Sequence, residues 1–187
     1  MPYPAQISAD AVLDEARALL EAEGYEALSL HRLAAALNVK APSLYRYFDG
    51  KAALLRAVNE QLTRELVDAM RAAADTAGDG EARLPAMFRA YRAFALAHPI
   101  GYALAFSSTI PEQRLDPAIG EALALPLQAV MAELSGEARS LDALRGAWAL
   151  VHGFVTLELS GQFQRGGSID AAFEASIAAY VCGWQRS

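Results

Sequence analysis

Residues 29–51 read SLHRLAAALNVKAPSLYRYFDGK. Arg32, Lys40, Arg46 and Lys51 stand there against a single acid, Asp49, in a chain whose net charge is −6. Tyr45, Tyr47 and Phe48 crowd in just after Pro42. Ser29 has the hydroxyl to cap a helix over about 30–37. Asn38 suits a left-handed turn residue. Pro42 is tolerated in the first turn of a second short helix, where a missing amide hydrogen costs nothing. That helix is expected to run to about Phe48, where Asp49 and Gly50 break it. Two short helices with a three- to four-residue turn between them have the dimensions of a helix-turn-helix, whose second helix enters the DNA major groove. Leu33, Ala34, Leu37, Val39 and Leu44 would pack inward. Lys40, Ala41, Ser43, Tyr45, Arg46 and Tyr47 are left to face outward. Cations and hydroxyls bond phosphate oxygens, and a small residue such as Ala41 admits a base edge or a thymine methyl. Lys51 opens a further helix, and its charge and that helix's first amides can grip a phosphate together. The plainer alternative is a solvated helical surface with a tyrosine packed beneath it; turn, spacing and tyrosines together speak against that.

The flanking sequence is helical in its periodicity, without sustained strand alternation. Ser8 caps a first helix with Val12, Ala16, Leu19 and Leu20 on its apolar face, with Ile7 and Val12 placed for a hydrophobic staple, and Gly24 ends it. A long fourth helix runs from Lys51 to about Ala74. The stretch TAGDGEA at 76–82 has the composition of a linker. Five more helices are expected near 84–97, 99–107, 117–135, 140–165 and 170–185, with Pro126 kinking the third of these. The fold class is therefore all-α. The expected division is a helix-turn-helix domain at 1–50, a connecting helix at 51–75, and a second domain at 76–187.

Composition sets the outer limits. The 187 residues are 54% hydrophobic, enough for a packed core. The acidic balance argues against a protein coated in nucleic acid or lying on anionic lipid, while permitting a local basic patch. The single cysteine, Cys182, allows no internal disulfide and suits a reducing compartment. The N-terminus lacks the basic-then-apolar order of a signal peptide. The apolar run at 146–159 is too short for a membrane span and contains His152 and Glu158. A cytoplasmic protein is expected, with no cofactor and no metal site.

The segment GYEALSLHRLAAALNVKAPSLYRYFDGKAALL resembles the DNA-binding domain of the tetracycline-repressor (TetR) family of transcriptional regulators. The resemblance covers about residues 8–60 and rests on Gly24-Tyr25, Leu30, Leu33-Ala34, Val39, Leu44-Tyr45, Tyr47-Phe48, Lys51 and Leu54-Leu55. It implies phosphate contacts from Ser43, Tyr45, Tyr47 and Lys51. Base contacts would fall at Lys40, Ala41, Pro42 and Arg46, and His31 would reach DNA from the preceding helix. One departure stands out: many members carry a basic arm before the first helix, whereas MPYPAQI has no Lys or Arg. Residues 1–75 hold eight Lys plus Arg against eleven Asp plus Glu, net −3, so non-specific affinity is expected to be weak and salt-sensitive.

The second domain is similar to a subgroup marked by a Trp-His-Gly signature, here Trp148, His152 and Gly153. The resemblance implies a homodimeric repressor of a near-palindromic operator, controlled by a small molecule. Phe94, His98, Tyr102, Phe106, Trp148 and His152 are the candidate ligand contacts. Aromatic lining with few charges suits an apolar or aromatic effector. For His152 and Trp148 ordinary core packing is the competing reading. The last two helices carry the candidate dimer interface: Leu150, Phe154, Phe173, Ile177, Tyr180 and Trp184. Two such helices from each subunit make a four-helix bundle about a two-fold axis, and packing inside one subunit is the alternative. An enzyme finds little support, since there is no HExxH, no paired cysteine and no Gly-rich phosphate loop. A helical adaptor that binds protein through 99–185 is the other rival, and it predicts that Tyr45→Ala is tolerated.

Overall fold

A computed structural model describes residues 7–78, 80–107, 111 and 114–185. The stretch 1–6, which holds most of the N-terminal arm considered above, lies outside the described residues. Nine α-helices are described: α1 Ala9–Glu23, α2 Leu30–Ala36, α3 Ala41–Leu44, α4 Lys51–Ala77, α5 Gly80–Ala97, α6 Pro99–Ser107, α7 Pro117–Ser135, α8 Ser140–Leu159 and α9 Ile169–Gln185. A 3-10 turn, Glu137–Arg139, precedes α8. No strand occurs among the described residues.

The polar caps are where the sequence puts them. Ser8 accepts a hydrogen bond from the Ala11 amide, and Ser29 one from the Arg32 amide at 3.2 Å. Gly24 ends α1 at φ +83, and Asn38 turns the chain at φ +53, a value few side chains adopt. Several ends differ from expectation. α3 stops at Leu44, because beyond it the backbone tightens: the Tyr47 amide reaches the Leu44 carbonyl at 2.9 Å, a 3-10 bond. The expected linker at 76–82 is largely helical, since α4 runs on to Ala77 and α5 begins at Gly80. α8 ends at Leu159 rather than 165, where Ser160 turns its hydroxyl back to the Thr156 carbonyl and Gly161 takes φ +67.

The chain divides into two compact units. Unit 1 comprises residues 1–63 and 98–115; unit 2 comprises 64–97 and 116–187. The core of unit 1 is Val12, Ala16 and Leu20 of α1, Leu33 and Leu44 of the helix-turn-helix, Leu54, Leu55, Val58 and Leu62 of α4, and Tyr102 and Leu104 of α6. Inclusion of α6 in this unit was not legible as a boundary near 76–82; it arises because α6 packs on α1. Unit 2 is built on Leu84, Met87, Phe88 and Tyr91 of α5, Leu127, Val130 and Met131 of α7, Ala143, Ala147, Val151 and Val155 of α8, and Phe173 and Ile177 of α9.

Candidate functional site

The helix-turn-helix presents most of its expected face to solvent. His31 on α2, Lys40 ahead of α3, Pro42, Tyr45 and Arg46 are exposed, and Ala41, Ser43, Tyr47 and Lys51 are half-buried. Tyr45 is 51% exposed, a high value for a large ring with no structural reason to be in water. The reason it points outward is local. Leu44 takes the inward position on a one-turn helix, so its neighbours at 45 and 46 must face away.

Three of these side chains are held by the protein itself. Arg46 directs Nε toward the Ser43 carbonyl at 3.4 Å and lies 5.7 Å from the Tyr47 ring centroid. The Tyr47 hydroxyl donates to the Ile7 carbonyl, at the foot of α1. Lys51 donates to the Tyr25 carbonyl at 2.9 Å, and its ammonium sits 4.2 Å from the centre of the Tyr25 ring. An ammonium has three hydrogens, so this contact leaves others for a phosphate while fixing where they point. Arg32 differs from the other basic residues of the segment: Glu23 binds its guanidinium at 2.6 Å, which removes it from the free positive charge.

The candidate ligand residues fall into both units. Trp148 and His152 lie in unit 2 with Phe94; His98, Tyr102 and Phe106 lie in unit 1. Within unit 1 the Tyr102 and Phe106 rings are 5.1 Å apart. Within unit 2 Trp148 packs edge-on against Tyr91 at 5.5 Å, and the Tyr91 hydroxyl is 3.3 Å from Nδ1 of His152. Burial pushes the His152 imidazole below the ordinary histidine range, which favours the neutral ring. Tyr91 escaped the sequence reading. It lies four residues after Met87 and three after Phe88, a spacing that marks ordinary core and carries no separate signal.

Of the candidate interface residues, two are already covered by the chain itself. Phe173 and Ile177 are each 2% exposed within a single chain, so they belong to that chain's own core. Phe173 packs 4.9 Å from Phe154, which also meets Phe163 at 4.8 Å. Tyr180 donates to the Ala143 carbonyl at 2.5 Å and crowds Gly146, where a Cβ would stand 2.9 Å from its hydroxyl. Leu150, Phe154, Tyr180 and Trp184 are half-buried. The large residues of α9 thus bind it inward. Its opposite face, with Ala171, Ala175 and Ala178, is exposed. On α8, Ala149 is exposed, and a Cβ at Gly153 would meet nothing within 4 Å.

Unit 2 also contains an ion network that the sequence reading did not single out. Arg92 of α5 binds Glu158 of α8 through two nitrogens, at 2.7 and 2.6 Å, and Asp170 of α9 at 2.7 Å. Its guanidinium lies 5.0 Å from the centre of the Phe173 ring. One turn away Arg89 holds Glu174 in the same forked manner. Glu158, a charge inside an otherwise apolar run, was the available signal, because a nearly buried carboxylate requires a partner. Two cavities border this unit's helices. One of ≈ 300 Å³ lies among Phe154, Phe163, Arg165, Ile169 and Ala172; another of ≈ 210 Å³ lies among Arg71, Arg83, Met87, Pro126 and Leu127. No helix of the described residues is long and apolar enough to cross a membrane.

Residues 12–58 match the family of bacterial regulatory proteins of the tetR type, and residues 84–180 match the tetracyclin repressor-like C-terminal domain. The chain is 32% identical over 191 residues to an uncharacterized HTH-type transcriptional regulator, Rv0681, of Mycobacterium tuberculosis, covering 98% of this chain and 84% of that one. A protein of unknown function from Rhodococcus sp. RHA1 has the same fold, with a TM-score of 0.81 at 24% identity over 98% of this chain and all of that one (100%). So does a single-residue variant of TetR from Acinetobacter baumannii AYE in complex with minocycline, with a TM-score of 0.66 at 24% identity over 96% and 97% of the two chains. Matched along both its helix-turn-helix segment and its C-terminal half, the chain belongs to the TetR family of DNA-binding transcriptional regulators.

Proposed function

We propose that this regulator is a homodimeric repressor that leaves its operator when a small apolar or aromatic effector binds. The observation that carries the DNA-reading part is the outward face of the helix-turn-helix. In an acidic chain, Lys40, Arg46 and a half-exposed Tyr45 are gathered on one short segment beside Pro42 and Ala41. Lys40, Ala41, Pro42 and Arg46 bear on base choice; Ser43, Tyr45 and Lys51 position the protein on phosphates. His31 reaches DNA from α2, and Tyr47 joins the phosphate contacts only if its hydroxyl leaves the Ile7 carbonyl, since a phenol has one hydrogen to donate. DNA reading is assigned to residues 1–50, with 51–75 as the connecting helix and 76–187 carrying effector binding and dimerisation. Band shifts on the DNA flanking the gene test the reading, and Tyr45→Ala should abolish the shift. The helical adaptor reading predicts instead that the protein binds no DNA at all and that Tyr45→Ala is tolerated.

Charge predicts how the interface responds to salt. Lys51→Ala should weaken binding to operator and random DNA by similar factors, and should lower the salt slope by about one unit. Arg46→Ala should weaken operator binding selectively. Affinities over a salt series measure both. A Lys51→Ala loss confined to operator DNA, with the slope unchanged, would remove lysine from the phosphate role. Because Lys51 also ties down the Tyr25 carbonyl, the melting temperature of this variant must be followed alongside.

For dimerisation the exposed alanine face of α9 and the small residues of α8 support a close four-helix contact between two copies. Small side chains let helix axes approach, and a two-fold axis makes the contact self-complementary. Ala178→Glu is expected to give monomers at micromolar concentration by light scattering, with folding unaffected, because its side chain faces away from the subunit core. A wild-type monomer under the same conditions would overturn the dimer.

For the effector, the aromatic group of Tyr91, Trp148 and His152 favours an apolar ligand with one polar atom. The minocycline complex of the A. baumannii protein supports a small-molecule ligand for a protein of this fold. Release requires that the ligand prefer the conformation in which the recognition helices are misplaced, since equal affinity for both forms shifts nothing. A thermal-shift screen with apolar and aromatic compounds, followed by release of operator DNA, tests it; Trp148→Phe and His152→Ala should each weaken a hit.

A further inference from the structure

The segment that joins α1 to α2 anchors two cations of the DNA-reading unit and treats them in opposite ways. α1 ends at Glu23, Gly24 reverses the chain at φ +83, and Tyr25 follows. Lys51 is held on Tyr25 by groups without net charge. Its ammonium donates to the Tyr25 carbonyl at 2.9 Å and sits 4.2 Å from the centre of the ring. The positive charge of Lys51 stays whole, with hydrogens left to donate. Arg32 is held on a carboxylate instead. Its Nη2 lies 2.8 Å from Oε1 of Glu23 and 2.6 Å from Oε2. The guanidinium's charge is cancelled where it stands. Arg32 occupies the first turn of α2 beside His31, and its side chain is 54% exposed against 36% for Glu23.

An exposed pair of this kind does little for stability. On DNA it matters more, because affinity for phosphates follows the number of cations that neutralise them. A guanidinium matches a phosphate better than an ammonium does, with a fork of donors in place of a point charge. To make that contact Arg32 would have to leave Glu23 and uncover a carboxylate beside the same phosphate, and the gain and the repulsion offset. We infer that Arg32 is a latent phosphate contact kept shut by Glu23, so that Glu23 sets how tightly this regulator holds DNA of any sequence. This rests on the DNA-reading face proposed above, to which the segment is joined through Lys51.

The test uses four full-length proteins: wild type, Glu23→Gln, Arg32→Ala and the double variant. Affinity for a random duplex, and for the fragment that the protein shifts, is measured over a salt series. Glu23→Gln should tighten binding to both DNAs about 5-fold near 0.1 M salt and steepen the salt slope by about one unit. Arg32→Ala should weaken binding by no more than about 2-fold, with the slope unchanged, because the cation it removes was already cancelled. On the Arg32→Ala background, Glu23→Gln should gain about 2-fold or less, which brings the double variant back to wild type. Melting temperatures within about 2 °C of one another, as an exposed pair implies, show that folded proteins are being compared; Glu23→Ala takes the place of Glu23→Gln should that variant melt lower. An unchanged slope in Glu23→Gln overturns the inference. So does an equal gain with and without Arg32, which would make Glu23 a plain repulsive charge. A slope lowered by about one unit in Arg32→Ala also overturns it, since Arg32 would then bind phosphate despite Glu23. A wild type that binds neither DNA removes the DNA-reading face and this inference together, a result distinct from wild-type binding that Glu23→Gln leaves untouched.

Discussion

Arg92→Ala should be among the most destabilising single substitutions in the protein, costing about 3 kcal/mol or more. The guanidinium is 15% exposed and Glu158 only 13%, so solvent does little to screen the pair. Removing the arginine leaves the Glu158 carboxylate nearly buried without its two donors, and strips Asp170 and the Phe173 face of the same cation. The two hydrogen bonds that Arg92 donates to Glu158 raise the guanidinium's pKa well above its ordinary value, which agrees with a firmly charged group. A loss of that size corresponds to roughly 6–12 °C in melting temperature for a chain of this length. The double replacement Arg92→Met with Glu158→Leu should recover much of the loss, because exchanging a buried ion pair for apolar packing is often close to neutral. Thermal unfolding of the single and double variants decides. A single variant that melts within a degree or two of wild type would mean that water reaches Glu158. The neighbouring Arg89–Glu174 pair is a weaker contributor, being about half exposed. Hydrogen bonding to Arg89 depresses the Glu174 carboxyl. Its contribution is therefore complete above the ordinary glutamate range and lost as pH falls through the depressed value.

The second large effect is expected at Phe173. Phe173→Ala should cost roughly 3–5 kcal/mol, because the ring is 2% exposed and meets both Phe154 and the Arg92 guanidinium. The signature that matters is the contrast with Ala178→Glu. The core variant should lower the melting temperature by more than 5 °C, roughly in line with the size scaling of such losses, while its mass by light scattering stays that of the wild type. The surface variant should split the proposed dimer and leave the monomer's cooperative unfolding intact. Light scattering and calorimetry on the two variants together separate an anchor of the subunit from a contact between subunits. Loss of the dimer by Phe173→Ala, with no change in stability, would restore this ring to the interface.

The local features of the fold were legible because they are written in neighbouring residues. Ser8 and Ser29 cap, Asn38 turns, and Leu33 and Leu44 point inward, and each follows from a side chain acting within four positions of itself. The outward face at Lys40, Pro42, Tyr45 and Arg46 was readable for the same reason. What the sequence withheld were relations over long separations. The apolar stripe of Phe173, Ile177, Tyr180 and Trp184 says that α9 has a partner, and periodicity is silent on whether that partner is the same chain. Arg92 looks like a solvated charge until Glu158 is placed opposite it, 66 residues on. Tyr91 and His152 meet across 61 residues. The linker composition at 76–82 was misleading in a different way. Alanine and glycine mark loops by habit, yet a helix already running through Ala72–Ala74 extends at little cost.

The discontinuity of unit 1 sets a rule for anyone who recombines regulators of this kind. A reading head cut after residue 63 would leave behind the helix that covers its own α1, and would expose the seat of Tyr102 and Leu104. Glu21 of α1 accepts from the Ile100 and Gly101 amides at the start of that helix. A hybrid that joins this head to a foreign sensor would set Glu21 against a helix start chosen by another protein, where a side chain in place of Gly101 would meet the carboxylate. Working hybrids should therefore carry residues 98–115 along with the head, or at least keep a glutamate–glycine match across the graft. The number of functional chimeras recovered with and without that match is a direct count of how far this one carboxylate constrains the exchange of specificities.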